Sequence, residues 1–93
     1  MKPEVLYQHL ENLLEQLDIS MSYENLSDAE GRALSGLCKV KGRRFYMMDS
    51  AKGLTERIRL LRECLTELDL DEVYVLPAVR AFLEKGGEML KGP

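Results

Sequence analysis

The sequence contains few of the residues that metal sites and nucleophilic active sites require. Its 93 residues include one histidine, His9, and two cysteines, Cys38 and Cys64. A zinc site takes three or four cysteine, histidine or carboxylate ligands, and no two of these three residues have close ligand spacing. The glycines also lack the spacing of a phosphate-binding loop. We therefore expect no metal, no cofactor and no catalytic residues, with both cysteines as buried thiols.

The sequence also lacks a long apolar run and a strong excess of either charge. No segment approaches the roughly 20 apolar residues that cross a bilayer, so we expect no membrane partner. The first residues, Met-Lys-Pro-Glu, lead into an amphipathic pattern without the apolar stretch of a signal peptide. The formal net charge of −3 disfavours a general nucleic-acid binder. Together these features predict a cytoplasmic globular protein.

The most strongly patterned segment is the stretch 54–68, where leucine and isoleucine recur every three or four residues. This spacing places the apolar side chains on one stripe of a helix. The stripe consists of Leu54, Ile58, Leu61, Leu65 and Leu68. One helix cannot bury so wide a stripe alone, so we expect other segments to cover it.

The chain before this helix predicts a helix, a strand and a loop. Pro3 suits the first turn of a helix, and leucines recur at helical spacing until about Asp18. Ile19–Tyr23 then alternates between apolar and polar residues, as a half-buried strand does. Residues 25–35 are rich in turn-forming residues and predict the longest loop, where we expect mobile or functional residues.

A β-hairpin and a third helix complete the predicted fold. Pro77 opens a short helix that ends at the Gly86-Gly87 pair. We predict an α+β domain over residues 1–86, with an N-terminal helix, a short antiparallel sheet with a hairpin, a long amphipathic helix and a short C-terminal helix. Residues 87–93 are predicted to be a flexible tail.

The hairpin strands, Leu37–Val40 and Phe45–Met48, flank a turn that contains Gly42. Alternation along the strands predicts two faces. The face that we expect to pack on the helices carries Cys38, Val40, Phe45 and Met47. The face that we expect to stay partly exposed carries Lys39, Lys41, Arg44, Tyr46 and Met48.

This order of elements resembles the small ImmA/IrrE-like metallopeptidase domain over about residues 1–70. In that family the long helix reads approximately Arg-Phe-Thr-x-Ala-His-Glu-x-x-His. Arg57 and Glu63 match this pattern, whereas Arg62 and Thr66 stand where the two zinc-binding histidines would be. The resemblance implies a relative that holds no zinc and has no metal-activated water for Glu63 to deprotonate.

Protein contact is the function that the sequence favours most, with a homodimer as the simplest assembly. Apolar residues of the hairpin and of the segment before Pro77 exceed what one short helix covers. The predicted partner-binding residues are Leu37, Tyr46, Met48, Tyr74 and Leu76.

Two other functions stay open. The basic hairpin is the possible nucleic-acid-binding site, with Tyr46 as a stacking residue. Its basic residues are Lys39, Lys41, Arg43 and Arg44. An enzyme that uses Asp49, Arg57 and Tyr74 is the third alternative, which residue types alone support.

Overall fold

The computed structural model describes residues 1–26 and 35–85. The elements in chain order are α1 (Pro3–Gln16), β1 (Ile19–Glu24), β2 (Gly36–Val40), β3 (Arg43–Asp49), α2 (Leu54–Thr66) and α3 (Pro77–Lys85). The predicted α+β class and order of elements are confirmed. The predicted tail 87–93 and most of the predicted loop 25–35 lie outside the described residues.

The three strands form one mixed sheet in the order β1–β3–β2. β2 and β3 are antiparallel, as predicted, and a turn of two residues, Lys41 and Gly42, joins them. Both turn residues have positive φ, 52° and 81°, which is typical of the type I′ turn found in tight hairpins. β1 lies on the other side of β3 and runs parallel to it, with Ile19 opposite Arg44.

A tight connection between α1 and β1 sets the start of the first strand. The backbone N–H of Leu17 donates to the carbonyl of Leu14, and that of Asp18 donates to the carbonyl of Glu15, both at 3.0 Å. Asp18 has a φ of 60°, a left-handed conformation that aspartate tolerates and that commonly ends a helix. Only two residues, Leu17 and Asp18, therefore separate α1 from β1, and β1 packs on that helix.

The core lies between the sheet and the helices. α1 and α2 pack on each other and on the sheet, and α3 packs on both helices. The predicted stripe of α2 is buried, since Ile58, Leu61 and Leu65 are 0% exposed while Leu54 and Leu68 are partly buried against the same core. The other helices contribute Leu6, Tyr7, Leu10, Leu13, Leu14, Val79, Phe82 and Leu83 to the same cluster.

The sheet face that packs on the helices is opposite to the predicted one. Tyr46 is 3% exposed and Met48 is 0% exposed, and both belong to the core. Phe45 and Met47 lie on the other face and are partly exposed. The predicted grouping of alternate strand residues is correct except for Lys41, which lies in the turn, but the expectation that Tyr46 and Met48 stay exposed is wrong.

The register of β1 explains which face is buried. Met21 lies opposite Tyr46, whereas Ser20 lies opposite Phe45 and Ser22 lies opposite Met47. Directly opposed residues share a face of the sheet. The side with Met21 is therefore the more apolar side, and burying it removes more apolar surface from water.

This assignment predicts unequal effects of two neighbouring substitutions. Tyr46→Ala should lower the free energy of unfolding by about 3–5 kcal/mol, because it truncates a large buried aromatic side chain. Phe45→Ala, the matched control on the other face, should cost clearly less. Urea denaturation followed by circular dichroism measures both. A larger loss for Phe45→Ala would contradict the face assignment.

Candidate interaction surface

One face of the sheet points away from the helices, and we call it the open face. Its apolar side chains are Phe45 and Met47 on the central strand and Cys38 and Val40 on β2. None of the four belongs to the core cluster, and Val40 is 53% exposed. Within the described part of the chain, the helices pack on the opposite side of the sheet. The open face is therefore apolar surface that no second layer of described residues covers.

Charges of opposite sign lie at the two ends of the open face. Glu24 and Asp49 are opposite each other in register, where β1 and β3 both end. Arg43 begins β3 at the other end, next to the turn that carries Lys41. The apolar side chains lie between these groups. The open face is thus apolar in the middle, acidic at one end and basic at the other.

The residues predicted to bind a partner do not form one surface. Tyr46 and Met48 lie in the core, so a partner does not reach them in the folded chain. Leu37 is 43% exposed on β2, at the edge of the sheet. Tyr74 and Leu76, which are 72% and 37% exposed, lie on the segment before α3.

Tyr74 and Leu76 do lie together. They line a small hollow of about 210 Å³ between α1 and α3, with His9 and Val79 among the other lining residues. Val79 is a core residue at 1% exposure, so the hollow lies directly over the interior. This pair is therefore exposed as predicted but is separate from the open face.

The basic residues of the hairpin also point in different directions. Lys39 and Arg44 are opposite each other on the helix side of the sheet, whereas Arg43 is on the open face and Lys41 forms the turn. The guanidinium of Arg44 donates to the carbonyl of Leu17 at 2.6 Å, which ties β3 to the end of α1. The hairpin therefore does not present its four cations on one surface.

A polar cluster that the sequence patterns did not reveal joins α1 to β1. Tyr23 donates its hydroxyl proton to the carboxylate of Glu11, and its oxygen lies 2.6 Å from the Tyr7 hydroxyl. Because Tyr23 has one hydroxyl proton, Tyr7 is the donor in the second bond. Tyr7 and Glu11 are four residues apart on one helix face, but only the position of β1 brings Tyr23 to them.

Arg57 extends this cluster to α2. Its guanidinium carbon lies 5.2 Å from the centroid of the Tyr23 ring, within the range of a cation–π contact. The same guanidinium donates to the carbonyls of Ser50 at 3.0 Å and Lys52 at 2.9 Å. Arg57 therefore holds the connector between β3 and α2 against the first strand.

The tyrosine hydroxyls of this cluster are poorly suited to base or nucleophile chemistry. Burial raises the pKa of Tyr7, and burial followed by donation to Glu11 raises the pKa of Tyr23. Both hydroxyls therefore keep their protons at neutral pH. Burial, followed by the charge of Glu67, also raises the pKa of the Cys64 thiol, which lowers its reactivity. The described geometry favours a structural role for these groups.

The residues of the enzymatic alternative lie at two separate places. Asp49 accepts a hydrogen bond from the N–H of Ala51 at 2.9 Å, near the connector that Arg57 holds, whereas Tyr74 lines the hollow between α1 and α3.

In residues 1–26 and 35–85, no three His, Cys, Asp or Glu side chains come close enough to hold a metal ion. No helix in these ranges has the length and apolar character needed to cross a bilayer.

No family model, curated protein or solved structure matches this chain. The resemblance to the ImmA/IrrE-like domain therefore stays a prediction. At the positions of that family's histidines, the Arg62 Nε atom donates to the carbonyl of Phe82 at 3.3 Å and the Thr66 hydroxyl donates to the carbonyl of Glu63 at 3.0 Å. The Arg62 contact joins α2 to α3, and the Thr66 contact lies within the last turn of α2.

The burial of Tyr46 predicts a pH dependence of stability. Burial, with the nearby Cys64 and Glu63 adding to it, raises the pKa of Tyr46 from 10.0 to about 12. A raised tyrosine pKa contributes stability that is complete below pH 10 and is lost as pH rises through about 12. The urea midpoint of the protein should therefore fall across this range, and Tyr46→Phe should make the fall shallower.

Tyr74→Phe is the matched control, because it removes one hydroxyl from a side chain that is 72% exposed. This control should reproduce the curve of the unmodified protein. A Tyr46→Phe curve with the same slope as the unmodified protein would show that Tyr46 ionisation is not linked to unfolding.

Proposed function

We propose that this protein acts through protein–protein contact, and that it pairs with a second copy of itself through the open face. The observation that carries this proposal is the apolar centre formed by Phe45 and Met47 with Cys38 and Val40, which lies outside the core. Two sheets that stack face to face remove such side chains from water at about 25 cal/mol per Å² of apolar area. The role is non-catalytic.

The charge distribution favours a second copy as the partner. A two-fold axis in the plane between the stacked sheets and perpendicular to the strands reverses the strand direction of one copy. This operation brings the basic end of one open face, at Arg43, over the acidic end of the other, at Glu24 and Asp49. The face is therefore complementary to itself in both charge and apolar character, as an isologous interface requires.

The size of the face sets the expected strength of pairing. Three strands, the longest of seven residues, span about 14 by 23 Å from the usual strand spacing and rise. Two such faces cover roughly 640 Å² in total, which is below the ~1,200 Å² at which the range for stable specific complexes begins and is typical of weak, transient ones. We therefore expect a weak, reversible dimer that forms only at high micromolar concentrations.

Sedimentation equilibrium at increasing micromolar concentrations tests the dimer. The mass should rise from 10.6 kDa towards twice this value. Phe45→Glu should keep the protein monomeric while leaving its helical circular dichroism intact, because it places a charge in the centre of the interface. Tyr74→Glu is the matched control and should leave the dimer unchanged. A dimer that Tyr74→Glu dissociates and Phe45→Glu does not would move the interface to the hollow between α1 and α3.

The orientation of the two copies has a separate test in two charge reversals. Arg43→Glu and Glu24→Arg should each weaken the homodimer, because each places like charges opposite one another. A mixture of the two variants should associate more strongly than either alone, since Glu at 43 then faces Arg at 24 across the interface. A mixture that associates no better than the separate variants would contradict the antiparallel arrangement.

Nucleic-acid binding is the second candidate, and it is favoured by one observation. Arg43 and Phe45 are alternate residues on the open face, so a cation and an aromatic ring lie side by side. Phe45 replaces the buried Tyr46 as the stacking residue in this alternative. Glu24 and Asp49 on the same face oppose it. Fluorescence anisotropy of a labelled single-stranded RNA separates the candidates, because RNA binding would weaken steeply with added salt.

A further inference from the structure

β1 forms one edge of the sheet, and no strand of the described residues pairs with its outer side. The carbonyl of Glu24 accepts a hydrogen bond from the N–H of Ser50 at 2.8 Å, so the backbone groups of Glu24 point towards β3. Because backbone groups alternate in direction along a strand, those of Met21 and Tyr23 point outwards. An edge with outward N–H and C=O groups is a template for one more strand.

A cleft of about 860 Å³ lies between α1 and the first half of β1, and it reaches the start of β3. Its helical wall consists of polar side chains at successive turns of α1: Gln8, Glu11, Asn12 and Glu15. Its opposite wall includes Ser20 and Met21 of β1. One end is lined by Asp18, Gly42, Arg43 and Arg44, and there the Arg44 bond to the Leu17 carbonyl holds β3 against the end of α1. The cleft is therefore a groove beside an unpaired strand.

The helical wall of the cleft is acidic, and the spacing of its charges matches an extended chain. Glu11 and Glu15 are four residues apart on α1, which is a rise of about 6 Å. Alternate residues of a β-strand, which point to the same side, are about 6.6–6.8 Å apart. If an added strand carries cations two residues apart, one cation can therefore lie beside Glu11 and the other beside Glu15. The Tyr23 hydroxyl uses only part of the hydrogen-bonding capacity of Glu11.

We propose that the cleft between α1 and β1 binds an extended peptide segment that adds to the edge of β1 and carries Lys or Arg at alternate positions. A partner peptide of this chemistry fits better than the edge strands of a second copy. β1 itself contains no lysine or arginine, and β2 contains one, Lys39. The cleft shares Ser20 and Arg43 with the border of the open face, but the β1 edge and the α1 carboxylates that would bind the peptide lie outside the apolar centre that carries the dimer, so peptide binding and dimer formation are measured separately.

The test is a fluorescence-anisotropy titration with labelled synthetic peptides of about five residues. The probe has the sequence Thr-Lys-Val-Lys-Thr, and a charge control replaces both lysines with glutamate. A backbone control keeps the lysines but carries N-methyl groups at alternate amides, which removes strand hydrogen bonding. The lysine peptide should bind, and both controls should bind at least about tenfold more weakly. Failure of the lysine peptide to bind, or equal binding of the N-methylated peptide, would overturn the proposal.

Two matched variants locate the site. Glu15→Lys should weaken binding of the lysine peptide by about tenfold, whereas Glu67→Lys, an equal charge change at the exposed residue that follows α2 and is not part of the cleft, should leave it unchanged. The peptide should also slow hydrogen exchange at the amides of Met21 and Tyr23. Equal losses for the two variants would indicate general charge attraction instead of a site. Unchanged exchange at both amides would exclude strand addition.

Discussion

The parallel pairing between β1 and β3 is the constraint on which the rest of this structure depends. It places Met21 beside Tyr46, so one face of the sheet becomes apolar enough to hold both longer helices. The same register puts Ser20 and Ser22 beside Phe45 and Met47. A shift of one residue would exchange the two faces, because side chains alternate across a strand. The pairing thus decides what is core and what is surface.

The helices were predictable because each carries its own signal. The stripe of Ile58, Leu61 and Leu65 has helical spacing, and all three side chains are completely buried. Pro3 and Pro77 begin the helices in which they lie, as their fixed φ favours. These are local properties of the chain, so a single sequence is sufficient to predict them.

The buried sheet face was not predictable in the same way. Within the hairpin, the cations Lys39 and Arg44 share a face with Tyr46 and Met48. Cationic side chains are typical of an exposed face, so the hairpin sequence alone predicts the wrong buried face. The structure accommodates these cations at the margins, since Lys39 is exposed on an edge strand and Arg44 bonds to the Leu17 carbonyl. Only the register of β1 settles the choice, and that register is a contact between segments more than 20 residues apart. The cluster of Tyr7, Glu11 and Tyr23 depends on the same contact.

The composition of the open face bears on the kind of association that we propose. Its apolar centre is bordered by the hydroxyls of Ser20 and Ser22, which bond to water when the face is exposed. A face with these groups costs less to leave in water than a continuous apolar sheet of the same area. The association of two such faces also gains less free energy, because each hydroxyl must find a new partner or keep a water molecule. Both effects narrow the free-energy difference between monomer and dimer, which favours a reversible assembly over an obligate one.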